Sequence, residues 1–281
     1  GDLLVSPTED PAPLPTEAEV LAEADRTVRA LGRVALCQVV RTEGSTPGRP
    51  GWKLLVRPDG SVHGNLGGGA FEALVKRDAE RKLGEERAPA EVKRYYLTES
   101  AVQGEATGMV CGGLVEVFLE VLAAKPLLVL CGGGPVAQAV ARNAVLCGFD
   151  VLVVEDREEF RAAELFPAST RFFAVTRDYA EDFLAGERGR DVHIAVVSRC
   201  WETDLAALAA VARQSDVERR YLGLMGSERK VRRSREELAQ RGVDFGDELR
   251  APIGLPIGGD TPGELAVGIL AEIIQARSAA R

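Results

Sequence analysis

The chain has 281 residues, 46% hydrophobic and 28% charged, enough to bury the cores of about two ordinary domains. Its 35 Lys and Arg face 43 Asp and Glu, and the formal net charge of −8 argues against nucleic-acid binding outside a local basic patch. No run approaches the ~18 apolar residues of a membrane span, and the start of the chain lacks the basic and apolar stretches of a secretion signal. The expectation is a cytoplasmic protein that engages neither membrane nor nucleic acid.

Residues 1–15, with PTEDPAPLP near their centre, read as a disordered Pro-rich arm. Two domains are expected beyond it, at 16–124 and 125–281. Thr16-x-x-Glu19 is a capping box ahead of Val20, Leu21, Ala24, Val28 and Leu31 at helical spacing, and Gly32 is placed to end that helix. Val34–Val40 reads as a buried strand. Trp52–Val56 and Ser61–His63 flank Pro58-Asp59-Gly60 as a hairpin. A helix over Ala70–Leu83 and a strand over Val92–Leu97 follow. In Leu114–Val121, Val115, Val117, Leu119 and Val121 alternate with Glu116, Phe118 and Glu120, the period of a half-buried strand. The first domain is therefore α+β.

After Ala124-Lys125-Pro126 the pattern changes. Short apolar strands at Leu127–Cys131, Val151–Val154, Phe172–Val175, Ile194–Val197 and Tyr221–Leu224 alternate with helices, which predicts a Rossmann-like, doubly wound parallel sheet. A last helix starts at Thr261-Pro262-Gly263-Glu264, with a Thr cap and a first-turn proline.

The strongest local motif is Cys131-Gly132-Gly133-Gly134-Pro135-Val136-Ala137, a glycine turn between strand and helix that matches GxGxxA. Gly132 allows the tight turn, Gly134 lets backbone approach a pyrophosphate, and Ala137 lets helix and strand pack closely. Asp156, 24 residues after Gly132, ends the next strand and suits a ribose 2′-hydroxyl, which favours NAD over NADP. Three glycine-rich segments of the first domain form a second constellation. They are Gly44-Ser45-Thr46-Pro47-Gly48-Arg49-Pro50-Gly51, Gly64-Asn65-Leu66-Gly67-Gly68-Gly69, and Gly104 to Gly113, which carries Cys111 and Gly112. Ser45, Thr46 and Arg49 offer two hydroxyls and a guanidinium, Gly67–Gly69 offer amides ahead of a helix, and Cys111 offers a thiol among glycines. The alternative for each segment is a set of turns that need positive φ.

The five cysteines include no CxxC pair, the closest two being Cys131 and Cys147, sixteen residues apart. That argues against zinc ribbons and paired redox thiols. Cys37, Cys131 and Cys147 read as small hydrophobes, and Cys200 as core or rim packing. Of the two histidines, His193 opens an apolar strand and reads as structural. His63, beside Gly64, is the candidate for function, with Cys111 the other catalytic candidate. The basic run Arg229-Lys230-Val231-Arg232-Arg233 reads as a solvated helix face or a docking surface for an acidic partner.

At these motifs, together with Gly67-Gly68-Gly69-x-x-Glu72, Cys111-Gly112-Gly113, Tyr221-Leu-Gly-Leu-Met-Gly226-Ser227-x-x-Lys230, Pro252-Ile-Gly254-Leu-x-Ile-Gly258 and Thr261-Pro262-x-Glu264-x-Ala266, the chain resembles the xanthine dehydrogenase accessory protein family (XdhC/CoxI-like) from about Leu31 to Ile274. The resemblance implies an N-terminal XdhC/CoxI domain, a C-terminal Rossmann domain and a homodimer. It further implies a chaperone that binds molybdenum cofactor (molybdopterin), protects it during sulfuration and delivers it to a xanthine dehydrogenase-type molybdenum hydroxylase, with a cysteine desulfurase as a further partner. Cys111 would then stand near the molybdenum or its sulfur. The chain departs from the family at Gly48, where Arg is usual after Pro47, at bulky Trp52, and at Ser198-Arg199-Cys200-Trp201, where the family often has Thr-His-x-His before an Asp. Two readings stay open beside the chaperone. One is an oxidoreductase using NAD or NADP on the Gly132–Val136 turn; the other is an interaction protein whose Rossmann domain is an empty scaffold.

Overall fold

Alternation in one strand, Val34 and Leu36 to one side and Ala35, Cys37 and Val39 to the other, organises the first half of the molecule. The computed structural model describes residues 14–85, 88–97, 105–106 and 112–279. It divides into two compact units. Unit 1 comprises the described residues through Arg29 together with Arg33–Ala123, and unit 2 comprises Ala30–Gly32 and Ala124 onward.

Unit 1 runs α1 (Glu17–Leu31), β1 (Arg33–Glu43), β2 (Lys53–Val56), β3 (Val62–Gly64), α2 (Gly69–Leu83), β4 (Glu91–Tyr96), β5 (Glu105–Ala106) and β6 (Leu114–Ala123). The strands form one sheet in the order β3-β2-β1-β6-β4-β5, antiparallel except for the β4–β5 pair. Helix α1 lays Val20 and Ala24 on Val34, Leu36 and Leu55. Helix α2 lays Phe71, Val75 and Ala79 on the opposite side, against Cys37, Val39, Val115 and Val117. The unit is thus a sheet between two helices. The start of α1 is fixed by its capping box, in which the Thr16 amide donates to Glu19 at 2.7 Å and the Glu19 amide to Thr16 Oγ1 at 3.3 Å.

Unit 2 runs β7 (Leu127–Cys131), α3 (Pro135–Leu146), β8 (Asp150–Glu155), β9 (Arg171–Ala174), β10 (Val192–Val196), α4 (Trp201–Arg213), β11 (Arg219–Leu224), α5 (Glu228–Gln240), β12 (Leu249–Arg250) and α6 (Pro262–Ala279). The all-parallel order β12-β11-β10-β7-β8-β9 is that of a doubly wound Rossmann sheet. Leu127, Val129 and Cys131 pack with α4, while Leu128 and Leu130 pack with α3 and α6. A strand covered on both faces reads as an unbroken apolar run, which is what Leu127–Cys131 is. The β8–β9 connection carries only two short 3-10 turns, Glu158–Arg161 and Ala163–Leu165, instead of an α-helix. Within unit 2, Gly32 and Gly189 meet backbone to backbone: a side chain added to either would collide with a carbonyl, of Gly189 or of Leu31.

Among the described residues no helix is long and apolar enough to cross a membrane.

Candidate functional site: two glycine constellations

The glycine segments of unit 1 meet. Ser45 pairs with Gly112 in an isolated parallel bridge. A side chain added at Gly113 would strike the Ser45 and Glu43 carbonyls and come within 2.8 Å of Thr46 Cγ2. On the other flank, a side chain at Gly48 would strike the Leu66 carbonyl, and one at Gly67 would meet the Pro47 carbonyl carbon at 2.7 Å. Segment 44–51 therefore lies between segments 64–69 and 112–113, and only glycine permits that approach. Gly67, at φ 118°, is also in a conformation that side chains avoid.

The amides before α2 are not the open anion cradle expected from their sequence. Glu72, in the first turn of α2, accepts from the Leu66 amide at 2.9 Å and from the Gly68 amide at 3.2 Å. Asn65 Oδ1 accepts from the Gly67 amide. A carboxylate at a helix start is electrostatically favourable and takes the place an external anion would have had. What stays open is bare backbone: above Gly51, Gly68, Gly69 and Gly112 there is nothing within 4 Å of an added Cβ. Ser45 and Arg49 on the same loop are exposed, and among the described residues the Arg49 guanidinium has no partner. Thr46 is engaged, donating to the Gly48 carbonyl at 3.1 Å. Cys111 lies outside the described residues.

Bare backbone of this kind can lie against a flat heterocycle, with the Ser45 hydroxyl and the Arg49 guanidinium beside it for polar or anionic groups.

In unit 2 the glycine turn is placed as its sequence predicts. Gly132, at φ 119°, brings the turn against the chain after β10, where an added Cβ would stand 2.8 Å from Ser198 Cα. Gly134 caps α3 with open space above it, Pro135 and Val136 enter that helix, and Ala137 is fully buried. The acidic partner differs from expectation. Asp156 is clamped by Arg199, whose two Nη atoms donate to its two oxygens at 2.7 and 3.0 Å, and this pairing holds the Asp156 carboxyl far below the usual range. The carboxylate that faces the turn is Glu155, the last residue of β8, buried to 2% exposure and not singled out in the sequence because its partner, the Gly133 amide, lies 22 residues away. Glu155 accepts from the Gly133 amide at 2.7 Å and from the Arg157 side chain through Nε and Nη2, both at 3.0 Å. The Phe160 carbonyl stands 2.5 Å from where a Gly133 Cβ would be. The segment after β8 therefore packs closely against Gly133 of the turn.

His193 lies outside both sites, and His63 directly precedes segment 64–69. His193 is fully buried, its ring 5.4 Å from Phe149 edge-on, and burial lowers its pKa. His63, on β3, lies in the field of Glu19 of α1 and makes no hydrogen bond to a glycine segment; its Nε2 is buried without a partner among the described residues. Cys37 and Cys131 are buried, and burial pushes the Cys37 thiol up to about 12. In the basic run, Lys230 pairs with Asp204 and Arg233 stacks 3.8 Å over Trp201, while Arg229 and Arg232 are exposed.

Fold and site together define a two-domain protein with an antiparallel glycine-loop domain ahead of a Rossmann domain. Residues 17–95 match the XdhC and CoxI family and residues 128–273 match the XdhC Rossmann domain. The chain is 37% identical to the uncharacterized protein YqeB of Escherichia coli (strain K12) over 249 residues, 87% of this chain and 43% of that protein. It is 29% identical over 163 residues to a probable xanthine dehydrogenase subunit of Bacillus subtilis (strain 168), 58% of this chain and 46% of that protein. A solved structure described as a xanthine dehydrogenase from Bacillus halodurans is 18% identical, covers 95% of this chain and 97% of its own, and has a TM-score of 0.49. The chain belongs to the XdhC and CoxI family. It spans less than half the length of the two sequence relatives.

Proposed function

We propose that the chain is an accessory protein of a xanthine dehydrogenase-type molybdenum hydroxylase, and that it holds molybdenum cofactor on the glycine cluster of unit 1. The observation that carries this reading is the convergence of segments 44–51, 64–69 and 112–113, which leaves bare backbone beside the exposed Ser45 and Arg49 side chains. The relative named as a probable xanthine dehydrogenase subunit supports the choice of client. When bound, the cofactor supplies molybdenum with its dithiolene sulfurs. The glycine cluster would hold the pterin, Arg49 would pair with its phosphate, and Cys111 would offer a thiolate to the molybdenum.

The oxidoreductase reading is weaker. A dinucleotide in the usual pose needs a free acid for its ribose, and Asp156 is held by Arg199 while Glu155 is held by Gly133 and Arg157.

Cofactor retention through gel filtration tests the proposal. Wild type is expected to retain it. Arg49→Ala and Cys111→Ser should each lose most of it, and Cys131→Ser should keep it as long as that variant folds. Equal retention by wild type, Arg49→Ala and Cys111→Ser overturns the assignment of these residues. No retention by wild type overturns the cofactor reading itself.

A further inference from the structure

Between the start of α1 and the β2–β3 hairpin, unit 1 holds a pocket of about 200 Å³. It is lined by Glu17 and Val20 of α1 together with Trp52, Lys53 of β2 and Asn65 after β3. Backbone bonds fix these walls. The Trp52 amide donates to the Arg49 carbonyl at 3.1 Å and the Trp52 carbonyl accepts from Val39 at 3.0 Å, while the Asn65 amide donates to the Lys53 carbonyl at 2.9 Å. Trp52 is half-buried and packs against the core under α2, which holds its indole in place.

The side chains around the pocket have polar capacity left over. Lys53 Nζ donates to the Gly51 carbonyl at 2.9 Å, which uses one of its three N–H bonds, and it has no carboxylate partner among the described residues. Asn65 Oδ1 accepts from the Gly67 amide, so its NH2 is the end left to donate. Glu17 makes no hydrogen bond or ion pair among the described residues. A carboxylate in the first turn of α1 suits the helix dipole, but Glu19 already closes that turn with Thr16. Glu17 is an acceptor beyond what the helix start needs.

One acceptor carboxylate, two donors and an aromatic face match a particular ligand edge. A 2-amino-4-oxo pyrimidine ring presents two parallel N–H bonds, from its amino group and ring nitrogen, with a carbonyl beside them. A carboxylate takes that N–H pair as it takes the fork of a guanidinium. An ammonium and an amide NH2 suit the carbonyl, and an aromatic side chain stacks on the ring face. Size narrows the choice: a cavity of about 150 Å³ holds one benzene ring, so this one admits a bicyclic head group and leaves the rest of a larger ligand outside. Trp52 follows Gly51, and Asn65 belongs to segment 64–69, so the pocket adjoins the glycine cluster.

We propose that this pocket takes the aminopyrimidinone edge of a pterin, with Glu17 accepting its N–H pair, Lys53 and Asn65 donating to its carbonyl, and Trp52 stacked on the ring. Pterin and guanine share this edge; the choice of pterin rests on the cofactor reading above, in which the glycine cluster holds the remainder of the molecule.

Calorimetry on the full chain with neopterin, which carries neither phosphate nor metal, tests the pocket. Lumazine, with an oxo group in place of the 2-amino group, turns an acceptor toward Glu17 and should bind at least about tenfold more weakly. This comparison on wild type depends on no variant folding. Trp52→Ala should weaken neopterin by about tenfold or more, whereas Trp201→Phe, at the other tryptophan, should leave it unchanged. Glu17→Gln should weaken neopterin and narrow its margin over lumazine, a change of preference that a structural role would not produce. No binding of neopterin by wild type at millimolar concentration overturns the proposal. So does equal binding of neopterin and lumazine, or an unchanged affinity in Trp52→Ala. Guanosine binding tighter than neopterin overturns the pterin assignment. Wild type that keeps molybdenum cofactor through gel filtration but binds no neopterin removes this pocket and leaves the cofactor reading standing. Wild type that binds neopterin but loses the cofactor does the reverse.

Discussion

The backbone amide of Gly133 donates to the buried carboxylate of Glu155 at 2.7 Å, so the glycine turn is ligated by its own chain. The same carboxylate holds Arg157, whose guanidinium lies 3.8 Å over the Phe160 ring, and the strand-end carbonyl of Glu155 accepts from Arg161 at 2.7 Å. One acid thereby ties the start of the β8–β9 connection to the glycine turn. Removing it strands a buried amide and a guanidinium together. Glu155→Ala is expected to cost about 3–5 kcal/mol, and Glu155→Gln less, because an amide oxygen can still accept from Gly133. Urea denaturation of the three proteins measures both, and an unchanged midpoint for Glu155→Ala would show that the connection is held by something else.

The clamp between Arg199 and Asp156 makes a pH prediction. Arg199 depresses the Asp156 carboxyl in the folded state, relative to an unfolded value of about 3.9. The unfolded chain binds the proton first on acidification, so the contribution is complete above about pH 5 and is lost as pH falls below about 4. Burial pushes Asp204 the opposite way, so its linkage opposes this slope. Arg199→Gln should flatten the acid limb of a stability profile taken from neutral pH downward. Superimposable wild-type and variant profiles would refute the linkage.

Two glycines of similar appearance in the sequence should respond differently to alanine. Gly48→Ala drives a methyl into the Leu66 carbonyl and should cost about 1–3 kcal/mol, with loss of cofactor retention as the loops separate. Gly134 has ordinary φ and open space around it, so Gly134→Ala should change stability by less than about 1 kcal/mol. Thermal or urea unfolding of the two variants decides, and equal losses would contradict the placement of segment 44–51 against 64–69.

Thiol labelling reads the burial of the cysteines directly. Cys147 caps α3 and is exposed, whereas burial raises the thiols of Cys37 and Cys131 and removes the reactive thiolate. Brief alkylation at neutral pH followed by mass spectrometry should find Cys147 modified and Cys37 and Cys131 untouched until denaturant is added. Early labelling of Cys37 would contradict its place beneath α2.

Much of the fold was legible because its signals are local. The Thr16–Glu19 and Thr261–Glu264 capping boxes mark helix starts, Pro58-Asp59-Gly60 turns the β2–β3 hairpin, and β7 coincides with the apolar run Leu127–Cys131. Strand β6 buries Val115, Val117 and Leu119, as their alternation with Glu116 and Phe118 predicts. The two-residue strands β5 and β12 are too short to show any such period. The sites were harder because their partners are distant in sequence. That Glu72 would take the amides of Leu66 and Gly68 depends on how α2 docks, and that Arg199 would clamp Asp156 joins residues 43 positions apart. Glu155 closes β8 next to Asp156, and what it holds is set by the Gly133 amide that the fold brings to it.

The contact between Gly32 and Gly189 bears on how the chain can be divided. Residues 30–32 belong with unit 2 although unit 1 both precedes and follows them in sequence. A fragment beginning at Ala124 therefore lacks the short stretch whose backbone lies against Gly189, and loses the Gly32 carbonyl that accepts from the Ala124 amide at 2.8 Å. The chain passes between the two units three times. A Rossmann half isolated by one cut would expose a notch that three residues from the other side of the cut normally close.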